Sequence, residues 1–214
     1  MLKDDDDVRV FVAEGCRLPK NPKTIEAARK IGEYLGKKQY VYLQGCSEYG
    51  LMGVTYNEFI KYNKKVKLVD LSVVYFDSYR DGMVGERLPN QCLNTRLKTF
   101  ADNTDIIVVL PGANGTVHEF VTFLEINRQY PHAYEIVLVN IDGYYDKLLE
   151  FYKVQEEEGL CTPGEFNDLV NVVDNVDDAL EIIHSYRRRP AVNRFVPAYL
   201  REKDKASYNS NNNK

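Results

Sequence analysis

Short apolar segments alternate with longer amphipathic segments along this chain, and that alternation constrains the fold more than any other feature. Residues 106–110 read Ile-Ile-Val-Val-Leu, and residues 8–13 and 135–141 are almost as apolar. Strands that are apolar throughout are typical of a parallel sheet covered on both faces. Apolar side chains at helical spacing fill most of the segments between them. The predicted strands are residues 8–13, 40–43, 66–71 (possibly to 76), 106–110, 135–141 and 170–173; the predicted helices are residues 23–38, from about 51, 94–103, 116–130, 144–158 and 176–186.

This order of segments predicts an α/β protein with a single-domain, doubly wound (Rossmann-like), mostly parallel sheet and helices on both faces. The prediction follows because strand–helix–strand units in one sheet cross over with the same hand. A length of 214 residues suits one large domain, and 44% hydrophobic residues are enough for a core.

We expect this nucleotide-binding domain to span residues 8–186, with a polar segment at each end. Residues 1–7 contain four consecutive aspartates, and residues 187–214 begin with three arginines and end in Asn-Asn-Asn-Lys. The C-terminal stretch should be a disordered tail. Its basic residues could contact RNA or another subunit, although a solvated tail is the favoured interpretation. Residues 77–91 are polar and contain glycine, which predicts a surface loop.

Composition argues against several classes of partner and site. The net charge of −4 gives no electrostatic reason to expect a nucleic-acid partner. No apolar run approaches the roughly 18 residues of a membrane helix, and the acidic N-terminus is unlike a signal peptide, so we expect a cytoplasmic protein without a membrane partner. Four widely spaced cysteines and three histidines predict neither a disulfide framework nor a metal site.

Ligands of a doubly wound sheet bind at the carboxyl ends of its strands, so the loops that leave those ends are the candidate sites. The loop after residue 13 contains Gly15, and the loop after residue 43 contains Gly45 and Gly50. The loop of residues 111–116 is the most informative, because a strand leads through glycines directly into a helix.

Residues 111–116 read Pro-Gly-Ala-Asn-Gly-Thr and predict a phosphate site. The first backbone N–H groups of a helix lack partners within it and, with the helix dipole, attract anions. Glycine lets the backbone approach a phosphate closely. The loop is neither a P-loop nor a G-x-G-x-x-G fingerprint. Local sequence favours this interpretation and an ordinary turn capped by Thr116 about equally. The candidate phosphate residues are Gly112, Ala113, Asn114, Gly115 and Thr116.

Glu119 and Arg96 are candidate catalytic residues with rival structural interpretations. Thr116 and Glu119 have the spacing of a capping box, which needs no catalysis. The functional alternative is a Glu119 carboxylate kept anionic, with a low pKa, by the helix N-terminus. Arg96 lies near the start of the helix predicted before residues 106–110, so it should lie on the same rim of the sheet. The alternative for Arg96 is an ordinary surface arginine.

The chain resembles the LONELY GUY family of cytokinin riboside 5′-monophosphate phosphoribohydrolases, long described as lysine decarboxylase-like. The resemblance rests on Gly-Leu-Met-Gly at residues 50–53, on residues 111–119, on Arg96 at the expected distance upstream, and on residues 139–145. It covers residues 8–183. The chain departs from the family pattern at Gln44, Cys46, Leu97 and Ala113, and only faintly retains a Gly-Ser-Ser motif in Glu14-Gly15-Cys16-Arg17.

The resemblance implies hydrolysis of a nucleoside 5′-monophosphate, of the AMP or cytokinin riboside type, to free base and ribose 5-phosphate. Glu119 and Arg96 would be catalytic, and Gly45, Gly50 and Met52 would join residues 112–116 in binding nucleotide. It implies no metal or organic cofactor, and a homodimer with which an apolar face of helix 116–130 is consistent. The alternative is a non-catalytic protein of this fold that binds nucleotide or molybdenum cofactor. A pyridoxal phosphate decarboxylase is disfavoured, because the sequence shows no motif for a pocket with a lysine that would bind pyridoxal phosphate.

Overall fold

A computed structural model of the chain describes residues 7–72, 82–130 and 133–187. These residues form one seven-stranded sheet in which every neighbouring pair of strands is parallel, with helices on both faces. The predicted doubly wound α/β fold is therefore confirmed. The strands are β1 (Arg9–Ala13), β2 (Val41–Gln44), β3 (Val66–Leu71), β4 (Glu86–Asn90), β5 (Ile106–Val109), β6 (Glu135–Val139) and β7 (Asn171–Val173). The helices are α1 (Pro22–Lys37), α2 (Gly50–Phe59), α3 (Leu93–Asn103), α4 (Asn114–Gln129), α5 (Asp146–Glu157), α6 (Glu165–Leu169) and α7 (Val176–Ser185), with a 3-10 turn at Ile141–Gly143.

The strand order β4-β3-β2-β1-β5-β6-β7 creates a crevice between the carboxyl ends of β1 and β5. The chain winds outward from β1 through β4, then returns to β5 and winds the other way. The loops after β1 and β5 therefore leave toward opposite faces, which is where doubly wound proteins bind ligands. Ala13 pairs with Val109 at the last register position before those loops.

Alternate residues of β1 contribute to two cores. Val10 and Val12 pack on the face covered by α1, α2 and α7, whereas Phe11 and Ala13 pack on the face covered by α3 and α4. Phe11 stacks on Phe100 of α3, with ring centroids 4.0 Å apart. Burial on both faces explains why the central strands are apolar throughout.

Local signals set the start of α1. Asn21 caps the helix by accepting a hydrogen bond from the Lys23 N–H at 3.0 Å. Pro22 occupies the first helical position, where its missing N–H costs nothing.

The structure differs from the sequence-based predictions at β4, at α6 and at the start of α5. Part of the loop predicted at residues 77–91 is edge strand β4, which pairs with β3 in parallel; residues 77–81 lie outside the described ranges. A polar strand containing Pro89 is tolerated there because an edge strand has a ladder on one side only. Helix α6 was also not predicted, and α5 begins at Asp146 rather than at 144.

Of the two predicted terminal segments, the described ranges include residue 7 at one end and residue 187 at the other. Residue 7 forms a 2.6 Å ion pair with Lys65, whereas residues 1–6 and 188–214, which carry the predicted acidic segment and tail, lie outside the described ranges. No helix within the described ranges is long and apolar enough to cross a membrane.

Candidate functional site

A cavity of about 640 Å³ opens at the crevice between β1 and β5. Its walls come from the loop after β1, from α2 and α3, from the loop between β5 and α4, and from the turn after β6. Among the predicted site residues, eight line it: Gly45, Met52, Arg96, Gly112, Ala113, Gly115, Thr116 and Glu119. Gly50 and Asn114 do not line it.

Helix α4 presents free backbone donors to this cavity. The helix begins at Asn114, with Ala113 as an extended N-cap residue, and no side chain caps it. The first N–H groups of an uncapped helix have no partner within the helix. Such groups, together with the positive end of the helix dipole, favour an anion.

Thr116 lies inside α4, so the alternative of an ordinary turn capped by Thr116 is wrong. Its side chain is buried against the α-carbon of Gly112, where an added Cβ would overlap the Thr116 hydroxyl. Glycine at 112 therefore allows the loop to fold tightly over the first turn of α4. The Tyr144 hydroxyl fixes the same loop by donating a 2.7 Å hydrogen bond to the Gly112 carbonyl.

Arg96 lies in the first turn of α3 and is held by main-chain carbonyls at the ends of two strands. Its Nε donates to the Val69 carbonyl and its Nη2 donates to the Gly45 carbonyl, each at 3.2 Å. Its guanidinium carbon lies 5.1 Å from the centroid of the Phe100 ring, within cation–π range. The side chain is 18% exposed, so the alternative of an ordinary surface arginine is wrong.

The contact with Arg96 explains why residue 45 is a glycine. A Cβ at residue 45 would overlap Nη2 of the guanidinium. The family resemblance implies a part for Gly45 in nucleotide binding, and its direct contact in the structure is with Arg96. Glycine at this position lets the guanidinium lie across the end of β2.

Glu119 and Arg96 are neighbours in the wall of the cavity. Arg96 Nη1 and Glu119 Oε1 are 3.7 Å apart, which is an ion pair but too long for a hydrogen bond. The capping box predicted for Glu119 is not formed, because α4 starts two residues earlier than predicted. The two predicted catalytic residues are thus neighbours, although 23 positions separate them.

The predicted low pKa of Glu119 is wrong. Burial raises its pKa from 4.5 to about 7, and the positive charge of Arg96 offsets only part of this effect. Glu119 is the sixth residue of α4, and the helix dipole acts mainly within the first turn. Desolvation therefore outweighs the dipole at this position.

The Gly-Leu-Met-Gly segment that begins α2 fastens the loop after β1. The N–H groups of Leu51 and Met52 donate to the Gly15 carbonyl at 3.0 and 3.2 Å. These amides are therefore already satisfied. Met52 reaches the cavity by its side chain, so its predicted part in nucleotide binding would be an apolar contact.

Glu14 is a cavity residue that the sequence analysis did not single out. It follows β1 directly, lines the cavity and is 4% exposed. The available signal was a carboxyl residue at the end of a strand that is otherwise apolar, because buried carboxyl groups are rare outside functional sites. Within the described ranges, no group of three histidine, cysteine or acidic side chains could hold a metal ion.

The fold and the cavity define a class: a doubly wound α/β protein with an uncapped helix N-terminus beside an arginine–carboxylate pair. A protein-family model described as "Possible lysine decarboxylase" matches residues 51–183, and the chain belongs to this family, the LONELY GUY family.

Two curated relatives illustrate the family. A probable cytokinin riboside 5′-monophosphate phosphoribohydrolase of Oryza sativa subsp. japonica is 26% identical over 166 residues, which is 78% of this chain and 72% of the relative. A cytokinin riboside 5′-monophosphate phosphoribohydrolase of Arabidopsis thaliana is 26% identical over 155 residues, 72% of this chain and 71% of the relative.

Two solved structures share the fold. The molybdenum cofactor binding protein of Rippkaea orientalis superposes with a TM-score of 0.63 at 17% identity, covering 84% of this chain and 96% of that one. The Moco carrier protein of Chlamydomonas reinhardtii gives a TM-score of 0.62 at 15% identity, covering 83% and 96%. At these identities the likeness concerns the fold alone.

Proposed function

We propose that this protein hydrolyses the N-glycosidic bond of a nucleoside 5′-monophosphate, releasing free base and ribose 5-phosphate. The observation that carries the proposal is the arrangement of the cavity: Arg96 and Glu119 lie together beside the uncapped N-terminus of α4. Membership of a family whose curated relatives are phosphoribohydrolases supports it.

The phosphate would bind the backbone N–H groups at the start of α4, which follow the tight turn at Gly112. That contact would direct the ribose toward Glu119, about one and a half turns further along the same helix. The substrate would then be held by its phosphate, while the bond to be broken lies beside the carboxyl group. Binding of a non-reacting group contributes to positioning in this way.

Glu119 and Arg96 would carry the chemistry. Cleavage of an N-glycosidic bond develops positive charge on the ribose ring, as in glycoside hydrolysis. An ionised Glu119 would stabilise that charge and accept a proton from the attacking water. A pKa of about 7 suits a group that exchanges a proton near neutral pH. Arg96, fixed by the Val69 and Gly45 carbonyls, would orient the carboxylate.

The second candidate is a non-catalytic protein that binds a nucleotide or molybdenum cofactor. The departures at Ala113 and Leu97 favour it, since both alter the family motifs. The presence of Glu119 disfavours it, because a carboxyl that is only 12% exposed beside a phosphate site costs binding energy unless it serves the reaction.

We also propose a homodimer formed through α4 and α5. A second cavity of about 400 Å³ lies between α4, α5 and α6. Three side chains on its rim are exposed apolar groups: Val121 at 40%, Phe151 at 57% and Leu160 at 74%. Phe120 and Phe123 of α4 are buried within the chain, so the apolar sequence of this helix serves both the core and this surface.

The decisive experiment is incubation of the purified protein with AMP, GMP, IMP, CMP and isopentenyl-AMP, with free base measured by chromatography. We expect release of base from at least one of them. Glu119→Gln should lower the rate about 10²–10³-fold, because it removes one positioned charge, while nucleotide binding persists.

The control is Glu26→Gln, which removes a carboxylate that pairs with Arg29 on the exposed side of α1. Its rate should equal that of the wild type. A wild-type protein that binds monophosphates but releases no base would support the non-catalytic candidate instead. An active protein unaffected by Glu119→Gln would show that the role assigned to Glu119 is wrong.

A further inference from the structure

Glu14 is a second carboxyl group in the cavity, and the mechanism above does not use it. It follows the central strand β1 and is 4% exposed. Its neighbours on the interior side belong to other elements: Tyr42 on β2 and Thr55 on α2. Its remaining side faces the cavity, which Glu119 lines from α4.

The Tyr42 and Thr55 hydroxyls each bond one oxygen of Glu14 from the interior, and Glu14 also lines the cavity. The Tyr42 hydroxyl donates to Oε1 at 3.1 Å, and the Thr55 hydroxyl donates to Oε2 at 2.8 Å. The alternative acceptor for Thr55, the Leu51 carbonyl, is 3.5 Å away, at the limit of a hydrogen bond. Both carboxyl oxygens therefore accept from interior hydroxyls, and neither of these bonds uses the proton that the neutral acid carries.

The charges around Glu14 favour its neutral form. Burial raises its pKa from 4.5 to about 8; the hydroxyls of Thr55 and Tyr42 lower it, and the charge of Glu119 raises it. Within the described ranges, no lysine or arginine forms an ion pair with Glu14. Besides Glu119, the ionisable groups that line the cavity are Cys16, Arg17 and Lys20 on the following loop, Arg96 on α3 and Tyr144 after the 3-10 turn.

The two carboxyl groups thus have unequal surroundings. Glu119 has a cation beside it, which favours its charged form, whereas the partners of Glu14 within the described ranges are hydroxyls and burial raises its pKa to about 8. Glycoside hydrolysis uses such a pair, one carboxyl as acid and the other as base or charge stabiliser.

We propose that Glu14 is the general acid of the site and protonates the leaving base; this inference rests on the proposed function. The bond between the ribose C1′ and the base nitrogen breaks, and its electron pair goes to the base. The base takes the proton of Glu14. Water adds its oxygen to C1′ and gives a proton to Glu119. Glu119 then releases its proton to solvent and Glu14 takes one up from solvent, which restores both groups.

The test is the pH profile of kcat/KM for the wild type and for Glu14→Gln, on whichever monophosphate the wild type cleaves. The wild type should lose activity as pH rises through about 8, because the acid is then ionised. Glu14→Gln should be slower by roughly 10²–10⁴-fold. Its residual activity should not fall as pH rises through about 8, so the alkaline limb of the wild-type profile should be absent. Glutamine can still accept from Tyr42, so the fold should be retained, as circular dichroism and nucleotide binding will show.

Tyr42→Phe is the second variant. It removes a hydroxyl whose hydrogen bond lowers the pKa of Glu14, so the alkaline limb should move to higher pH. A residue that merely supported the fold would change the rate without moving the limb. 7-Methylguanosine 5′-monophosphate adds an independent readout, because its base already carries a positive charge and leaves without being protonated. Glu14→Gln should cleave it with much less loss.

Three outcomes would overturn the proposal: an alkaline limb that persists in Glu14→Gln, a limb that Tyr42→Phe leaves in place, or an equal loss on both kinds of base. Any of these leaves the proposed function standing, provided that the wild type is active. A wild type that releases no base from any monophosphate would overturn the proposed function and this inference together.

Discussion

The surroundings of Glu14 predict that the protein loses stability as pH rises, and that Glu14→Gln removes much of this loss. A carboxyl whose pKa is 4.5 when unfolded and about 8 when folded binds its proton more tightly in the folded state. Its contribution to stability is therefore fully present below about pH 4.5 and is lost as pH rises through about 8. Above that pH, the folded protein must keep a charge buried.

The size of the effect follows from the same values. A change in pKa from 4.5 to about 8 corresponds to about 5 kcal/mol in the free energy of unfolding. Relaxation and water penetration reduce the cost of burying a charge, so we expect a measured difference of about 2–5 kcal/mol. Glu119 adds a loss of the same sign in both proteins, which cancels in their comparison except for the repulsion between Glu119 and Glu14.

Urea unfolding of the wild type and of Glu14→Gln at intervals from pH 5 to 9.5 measures this difference. The two proteins should agree within about 1 kcal/mol near pH 5, and the variant should be the more stable at pH 9.5. Glu26→Gln, on the exposed side of α1, should follow the wild type at every pH. A gap between the wild type and Glu14→Gln that stays constant with pH would refute the reasoning, whatever its size.

Three further predictions concern the site and the assembly. Calorimetry should find AMP bound much more tightly than adenosine, since each charge-assisted hydrogen bond contributes about 1.5–3 kcal/mol; equal affinities would argue against a phosphate site at the start of α4. Gly45→Ala should lower kcat, because its Cβ would displace the Arg96 guanidinium, whereas Gly159→Ser, at a position with open space and a positive φ of 71°, should affect stability alone. Light scattering should give the mass of two chains at micromolar concentration and of one chain for Phe151→Glu; a monomeric wild type, with and without ligand, would exclude the proposed dimer.

The sequence by itself determined the fold and the rim on which the site lies. Apolar strands such as residues 106–110 can be buried only between two layers of helices, and this restriction is readable from residue types alone. The sequence pattern of an apolar strand, a glycine and then a helix likewise predicted the turn at Gly112. That Arg96 and Glu119 lie on the same rim followed from topology. The helix before β5 (α3) and the helix after it (α4) both begin at the carboxyl edge of the sheet.

What only the tertiary structure decided were the start of α4, the edge strand β4 and the ionisation of the two carboxyl groups. Thr116 is a residue type that favours N-caps, yet it lies inside α4, packed against Gly112, and the helix begins two residues before it. A polar strand such as β4 has no apolar pattern to reveal it, since its pairing with β3 supplies the order. The pKa values of Glu14 and Glu119 depend on which groups from distant parts of the chain surround them. Desolvation is a property of the folded packing, so no local pattern of residues could have set its balance against the helix dipole and Arg96.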